Sequence, residues 1–528
     1  MPSEELAAPA VELEQAATPE RPVLWPLGAV TAAATSLAVA GVLPTWPGVV
    51  HLVALPPVDV FADLRILVGL APSWPLAVLG FVALVAGRVV VLAALMGGVT
   101  ADRLRFAAAF YALLVVPMLM AAFLAAASAT VLYSRLFWPA VAIVAVCALG
   151  AGPLPWQQTL RLRRAIPRAW RAGLRLDVML PYVVGLLVLG ALADVASRHA
   201  PWLVAWLVPV SAVLTVAAVR GLRRPVPARP VLRLAVVGAA AAVVAAAFVL
   251  TPRDSMSPPG PARPGSLALM AGINSSSGRG AIVRTDVERL GFTCEQTAYV
   301  SYAGPGDGQP RGVAVCPITT GAAYVADDTQ RPFDEQVAAL REQVEGLPRP
   351  VVVVAHSHAA WVAWQAAVDG AAIDVLVLLG PFPDSPVGYP PPGEDGTGRV
   401  LGDLVRAVVL LADAFDFNFR PDSPAARELL ATPDAAAEIF GQPLPDGVRA
   451  LSLTSAADLP LMPYGWRLPV ERNACPARVA HPDLPNRPAF YDETIRFLAG
   501  EPGRGCPPWR DWGAVVTRAL VPAPVPIP

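Results

Sequence analysis

The chain has no lysine: all 40 of the basic residues among its 528 are arginine. With 58 prolines and abundant Ala and Val, this reads as coding bias rather than mechanism. Charged residues make up only 15% and hydrophobic ones 55%, above the roughly 45–50% of ordinary soluble proteins. A purely soluble globule is thereby excluded, and part of the chain is expected in a membrane. The formal net charge of -1 offers no global basic field, so no nucleic-acid partner is expected. There is no CxxC pair and no histidine cluster, and the glycines of "GINSSSGRG" do not form a GxxxxGK phosphate loop. No metal and no cofactor are expected.

What is present is unevenly spread. Long apolar runs fill residues 23–251, while a mixed, motif-bearing sequence follows. The first run, "VLWPLGAVTAAATSLAVAGVLP", comes after an acidic segment, residues 1–22, with Glu4, Glu5, Glu12, Glu14 and Glu20. That flank is wrong for a cleavable signal peptide, so the run is expected to remain as an anchor. A bilayer core needs roughly 20 apolar residues per helix, which predicts an all-α transmembrane bundle of about seven helices. They fall near 23–44, 76–98, 106–131, 136–152, 178–196, 201–219 and 232–251.

Arginines orient the bundle. One loop carries Arg161, Arg163, Arg164, Arg168, Arg171 and Arg175, and another Arg220, Arg223, Arg224, Arg229 and Arg233. By the positive-inside rule both are cytoplasmic, with Arg103 and Arg105 on the same side and the sparse Arg65, Arg135 and Arg198 outside. The N-terminus is then cytoplasmic, and everything after residue 251 is extracytoplasmic at a cell membrane. Arg88 lies within a span, where a charge is costly; it marks either a functional position or an arginine paired inside the bundle. The outside segment "VDVFADLRILVGL" suits a short helix lying in the interface.

A Pro/Gly-rich linker, 252–265, leads to a second domain, 266–500. Apolar strands ("SLALMAG", "TAYVSYAG", "VVVVAHS", "IDVLVLLGPF") alternate with helices around 281–290, at "FDEQVAALREQVEG" and at "AAWVAWQAAV". Such alternation predicts a mostly parallel sheet covered on both faces. In "VVVVAHSHAAW", Ser357 falls at a strand-to-helix junction, where a nucleophile elbow lifts its hydroxyl clear of the sheet beside a helix N-terminus. Ala355 and Ala359 stand where the G-x-S-x-G pattern has glycine, and alanine is the next smallest residue.

A serine nucleophile needs a base, and the base a carboxylate. Of five histidines, His51 and His199 belong to the membrane half and His356 and His358 flank the serine, which leaves His481. It sits in "VAHPD", between a short strand and a closing amphipathic helix. Asp458 follows the strand in "VRALSLTSAAD", so the chain order is Ser, Asp, His.

On "AHSHA", "TSAAD" and "VAHPD" the second half resembles the α/β-hydrolase superfamily of serine esterases and lipases. The membrane half resembles no family we recognise. The resemblance implies Ser357 as nucleophile, His481 as general base and then acid, and Asp458 as orienting carboxylate, with Asp384 as the alternative acid. It implies an oxyanion hole from the backbone N–H of His358 and one from Ile273 or Asn274. Residues 383–446, which belong to no strand, are expected as a helical cap insertion, favouring an apolar substrate. Residues 501–528 are expected as a C-terminal tail.

Cys147 lies in a span, and the remaining Cys294, Cys316, Cys475 and Cys506 form an even set suited to an oxidising compartment. Proximity pairs Cys294 with Cys316 and Cys475 with Cys506, among three formal pairings. The leading expectation is a membrane-tethered hydrolase of carboxylic esters, of lipid or another apolar acyl substrate, working through an acyl-enzyme. An acyltransferase or a serine peptidase would use the same three residues. A different class, a transporter or receptor bundle with a non-catalytic hydrolase-fold domain, is the alternative.

Overall fold

The computed structural model describes residues 21–40, 46–172, 174–224, 258–384, 388–414, 419–462, 465–507 and 509–520. The expected acidic tail and the expected span at 232–251 lie outside the described residues, apart from the last two positions of the tail. In the N-terminal half α1 is Trp25–Val39, α2 Val58–Leu70, α3 Trp74–Leu95, α4 Ala101–Thr130 and α5 Ser134–Gly150. They are followed by α6 Leu162–Ala172, α7 Leu176–His199 and α8 Trp202–Arg223. Five of these, α3, α4, α5 with its continuation to Trp156, α7 and α8, are long and apolar enough to cross a membrane. Their starts follow helix chemistry: Pro75 opens α3, and Thr100 caps α4 by accepting from Arg103 N–H with Asp102 in the first turn.

The helix at 58–70 forms, but not as an interfacial one. It is buried almost all round, including Asp59, Asp63 and Arg65. Arg88 donates Nε to Asp63 Oδ2 (2.6 Å), Nη2 to Asp63 Oδ1 (2.7 Å) and Nη1 to Leu52 O (2.8 Å), while Tyr111 donates to Asp59. The two carboxylates that suggested a wet face are thus partnered inside the bundle, and the Arg65 guanidinium lies over the Trp46 and Phe61 rings.

One face of the bundle gathers the ends rich in arginine. Val23 N–H donates to Ala94 O, Arg223 reaches Leu95 O, and Arg175 reaches Gly221 O, Leu222 O and Arg224 O. The opposite face carries the second domain, through Trp74 Nε1 to Asp403 Oδ2 (2.9 Å) and Gly396 N–H to Pro72 O (3.0 Å).

That domain is built on a six-stranded sheet whose order is β2-β1-β3-β4-β5-β6. The strands are β1 Ser266–Met270, β2 Thr297–Tyr299, β3 Val351–His356, β4 Val375–Leu379, β5 Arg449–Leu453 and β6 Arg472–Asn473, all pairs parallel. Strands β1, β3 and β4 are buried along their whole length, as continuous apolar runs require when both faces are covered. Covering helices include α9 Phe333–Glu345, α10 Ala359–Val368 and α13 Pro488–Leu498. The helix expected around 281–290 is instead two short 3-10 turns, Ile282–Arg284 and Glu288–Leu290. Thr285 between them is extended and the Asp286 carboxylate accepts from Arg289 N–H, side-chain-to-backbone bonding that competes with a helix.

Between β4 and β5 lie α11 Arg399–Ala414, a short helix Pro424–Ala426 continuing as a π-turn Arg427–Ala431, and α12 Ala435–Gly441. Val400 and Leu404 of α11 pack on Ala71 and Ala77, so the insertion leans on the bundle. The segment after residue 500 is not a simple tail. Its helix α14, Trp509–Arg518, returns to the bundle, where Arg518 reaches Asp194 (3.4 Å) and Arg65 donates to Ala519 O (2.8 Å). Cys294–Cys316 and Cys475–Cys506 are disulfide-bonded, and Cys147 is the one free thiol among the described residues.

Candidate active site

The sheet register aligns the carboxyl ends of its central strands: Met270 beside Ala355, His356 beside Leu379, Leu379 beside Leu453. Chain order reverses between β1 and β3, and at such a switch point the loops leave in opposite directions and open a crevice. Ser357 stands there, directly after β3 and before α10, with φ +61°. A non-glycine residue in the left-handed region is uncommon and is held only where its surroundings over-determine it. Here Ser357 N–H donates to Leu379 O (2.7 Å), and Ala355 and Ala359 on either side are wholly buried. The alanines are therefore small enough for this turn.

Gly272, after β1, explains how the neighbouring loop approaches. A Cβ there would stand 2.9 Å from Ser357 Cβ and 2.9 Å from His356 O, so any larger residue would push the loop off the serine. The loop is not a slack connector. Tyr302 donates its hydroxyl to Ala271 O (2.6 Å), Asn274 N–H donates to Thr329 Oγ1 (3.1 Å), and Ser277 and Tyr324 exchange two hydrogen bonds. Burial pushes the Tyr302 hydroxyl well above its ordinary range and that of Tyr324 up to about 12, so both stay protonated. Of the two expected anion-binding amides in this loop, Asn274 is thus already engaged and Ile273 lines the cavity beside Ser357. His358 is the N-cap of α10, and of the amides that follow it Ala360 N–H donates to Ser357 O (2.9 Å) and Trp361 N–H to His358 O (3.1 Å).

His481 opens a 3-10 turn, His481–Asn486, after β6. Its Nδ1–H donates to Asp458 Oδ2 at 2.6 Å, and Asp458, in the loop after β5, is fully buried. Because the carboxylate only accepts, the ring is the Nδ1–H tautomer when neutral and Nε2 is left as a base; it makes no hydrogen bond. The carboxylate that holds His481 is therefore Asp458; Asp384, after β4, is also buried. Three further contacts fix the imidazole. His356 Nε2–H donates to His481 O (3.1 Å), Phe382 stacks on the ring at 5.4 Å, and Gly380 (φ +64°) leaves the space a side chain would take, since a Cβ there would come 2.6 Å from His481 Cε1.

Burial lowers His356 to about 3, with the neighbouring His481 adding to the effect, and lowers His358 to about 4. Both flanking imidazoles are consequently neutral at pH 7.

Ser357, His358, Ile273, Asn274 and His481 line one cavity of about 300 Å³. The insertion roofs it with Phe419, Leu429 and Leu430, and the α4–α5 turn adds Val131, Leu132 and Tyr133. A hydroxyl on a strained turn, an unengaged imidazole nitrogen, a buried carboxylate and helix-terminal amides around an apolar cavity are the parts needed for acyl transfer through serine. Sequence reasoning missed Gly272 and Gly380, for which a glycine just past an apolar strand was the available signal, and Ser134, for which there was none. No group of His, Cys, Asp and Glu able to hold a metal occurs among the described residues. No family model, no curated protein and no solved structure matches the chain.

Proposed function

We propose that the protein is a membrane-tethered serine hydrolase of the α/β-hydrolase type that cleaves carboxylic esters with an apolar acyl group. Ser357 Oγ attacks the ester carbonyl carbon as His481 Nε2 takes its proton. The oxyanion of the tetrahedral intermediate is met by the amides of His358 and Ile273. The C–O bond to the alcohol then breaks, the alcohol leaves with the proton from His481, and water repeats the sequence on the acyl-enzyme. Asp458 keeps His481 in the tautomer that can accept.

The observation that carries this reading is Ser357 at φ +61° on the switch-point turn, in one cavity with an imidazole whose other nitrogen is tied to a buried carboxylate. An apolar acyl group is favoured because Phe419, Leu429 and Leu430 bury apolar surface over the site, at about 25 cal/mol per Å². An extracytoplasmic location is favoured by three agreements. The arginine-rich helix ends lie on the face opposite the second domain, the two disulfides sit in that domain, and the five long helices together with the shorter apolar helix α1 and the expected span at 232–251 would make seven spans and a cytoplasmic N-terminus.

The test is labelling of the full-length protein in detergent with a fluorophosphonate, which reacts only with an activated serine. The intact protein should label, and Ser357→Ala and His481→Ala should not, with ester turnover down by about 10⁴–10⁶-fold in each. A folded wild-type protein that never labels rejects the reading.

A further inference from the structure

The α4–α5 turn belongs to the membrane bundle yet reaches the centre of the site. Helix α4 has 30 residues, about 45 Å of helix at 1.5 Å each, against a hydrocarbon core of about 30 Å. Its last turn, Ala125–Thr130, is buried all round, so the surplus length carries the turn into the second domain. There Ser134, the first residue of α5, donates its hydroxyl to Asp458 Oδ1 at 2.6 Å. Ser134 is 2% exposed and Asp458 not at all. One carboxylate thus spans a hydroxyl from the bundle and the imidazole of His481.

The turn itself is held against its preference. Tyr133 N–H donates to Ser128 O (2.9 Å), the six-to-one bond of a Schellman ending, and Leu132 has φ +51°. Glycine is the usual residue at that position, and a bulky side chain there is an outlier. Leu132 is buried and lines the cavity with Val131 and Tyr133. The strain is therefore spent on a side chain that faces the site.

We infer that the membrane bundle is a working part of the catalytic centre: Ser134 is a positioning residue for Asp458, and Leu132 is a wall for the acyl group. This rests on the hydrolase reading above. A carboxylate oxygen wholly removed from water needs a donor, and without one the carboxylate is free to turn away from His481 or to lose its charge. Hydrogen bonds to a charged group are the stronger kind, so losing this one should cost about tenfold or more in turnover.

The experiment uses the full-length protein in detergent, with p-nitrophenyl butyrate and octanoate as substrates and fluorophosphonate labelling beside them. Ser134→Ala should lower kcat about tenfold, with KM for the butyrate within about twofold, a modestly lowered thermal midpoint and a cooperative transition retained; Ser134→Thr, which keeps the hydroxyl, should restore most of kcat. Trp74→Phe, which breaks a bundle-to-domain contact remote from the cavity, should leave kcat unchanged. Leu132→Gly relieves the backbone strain but removes the wall, and should raise KM for the octanoate about tenfold more than for the butyrate. If the wild type labels, Ser357→Ala does not, and Ser134→Ala turns over like wild type, this inference falls while the hydrolase reading stands. Equal losses in Trp74→Phe and Ser134→Ala would reduce Ser134 to domain docking and overturn its positioning role. A wild type that never labels overturns both.

Discussion

In the membrane bundle Arg88 gives its whole guanidinium away, to Asp63 and to Leu52 O, whereas in the second domain His481 gives away only Nδ1 and keeps Nε2 without a partner. Both groups are buried. The first arrangement cancels charge where no water can solvate it; the second withholds one atom from the network and lets it line a cavity. Arg88 is therefore explained by the packing of the 46–70 segment, which it pins through Asp63 and Leu52. The contrast teaches that burial alone does not mark chemistry. What distinguishes the second domain is a buried imidazole nitrogen left without a partner, lining one cavity with a serine in the left-handed region.

The comparison breaks most decisively at Asp458. Asp458→Asn places an amide against Nδ1 and favours the wrong tautomer, so kcat for a p-nitrophenyl ester should fall by about 10⁴-fold while the protein stays folded. Retained turnover would move the acid role elsewhere, with Asp384 next in line.

On the bundle side, Arg88→Ala leaves Asp63 buried without its cation and should lower stability by about 3–5 kcal/mol, measured as a drop in thermal midpoint in detergent. The fraction that remains folded should keep its turnover, and Arg88→Ala with Asp63→Ala should recover part of the loss. If turnover vanished at unchanged stability, the bundle would be doing chemistry of its own.

Acid should act on the second domain through its neutral histidines. His356 and His358 have folded values of about 3 and about 4, below the unfolded value of about 6.5. Their contribution is thus complete above about pH 6.5 and declines as pH falls through it, by up to about 2 kcal/mol for each at pH 5. The share from His358 levels off below about pH 4. Urea midpoints at about pH 7.5 and about pH 5 measure this loss, which should be smaller in His358→Gln.

The smallest effect is expected at Gly380. Gly380→Ala sets a methyl against the His481 ring at a left-handed backbone position, and should reduce kcat about tenfold with a stability cost of about 1 kcal/mol. An unchanged kcat would show that the imidazole is not held by this close approach.

Much was legible in the residues because it depends on composition and local period. Runs of about 20 apolar residues marked α3, α4, α5, α7 and α8, and continuous valine and leucine runs marked β1, β3 and β4. The small residues around Ser357 allowed a tight turn, and cysteine proximity matched the two bonded pairs. The 281–290 segment was misjudged because its apolar spacing suits a helix while Asp286 supplies a local alternative. The 58–70 helix was misplaced because its charges looked solvated when their partners, Arg88 and Tyr111, lie in other helices.

By itself, then, the amino-acid sequence determined which segments are apolar enough for a bilayer, which alternate as strand and helix, and which residue types are available for chemistry. Tertiary structure alone decided that His481 takes Asp458, that Gly272 and Gly380 leave room for the serine and the imidazole, and that Ser134 reaches Asp458 from 324 residues away. The physical reason is that a hydrogen bond or a close approach depends on distances of about 3 Å, and only the packed fold brings residues so remote in the chain within that reach.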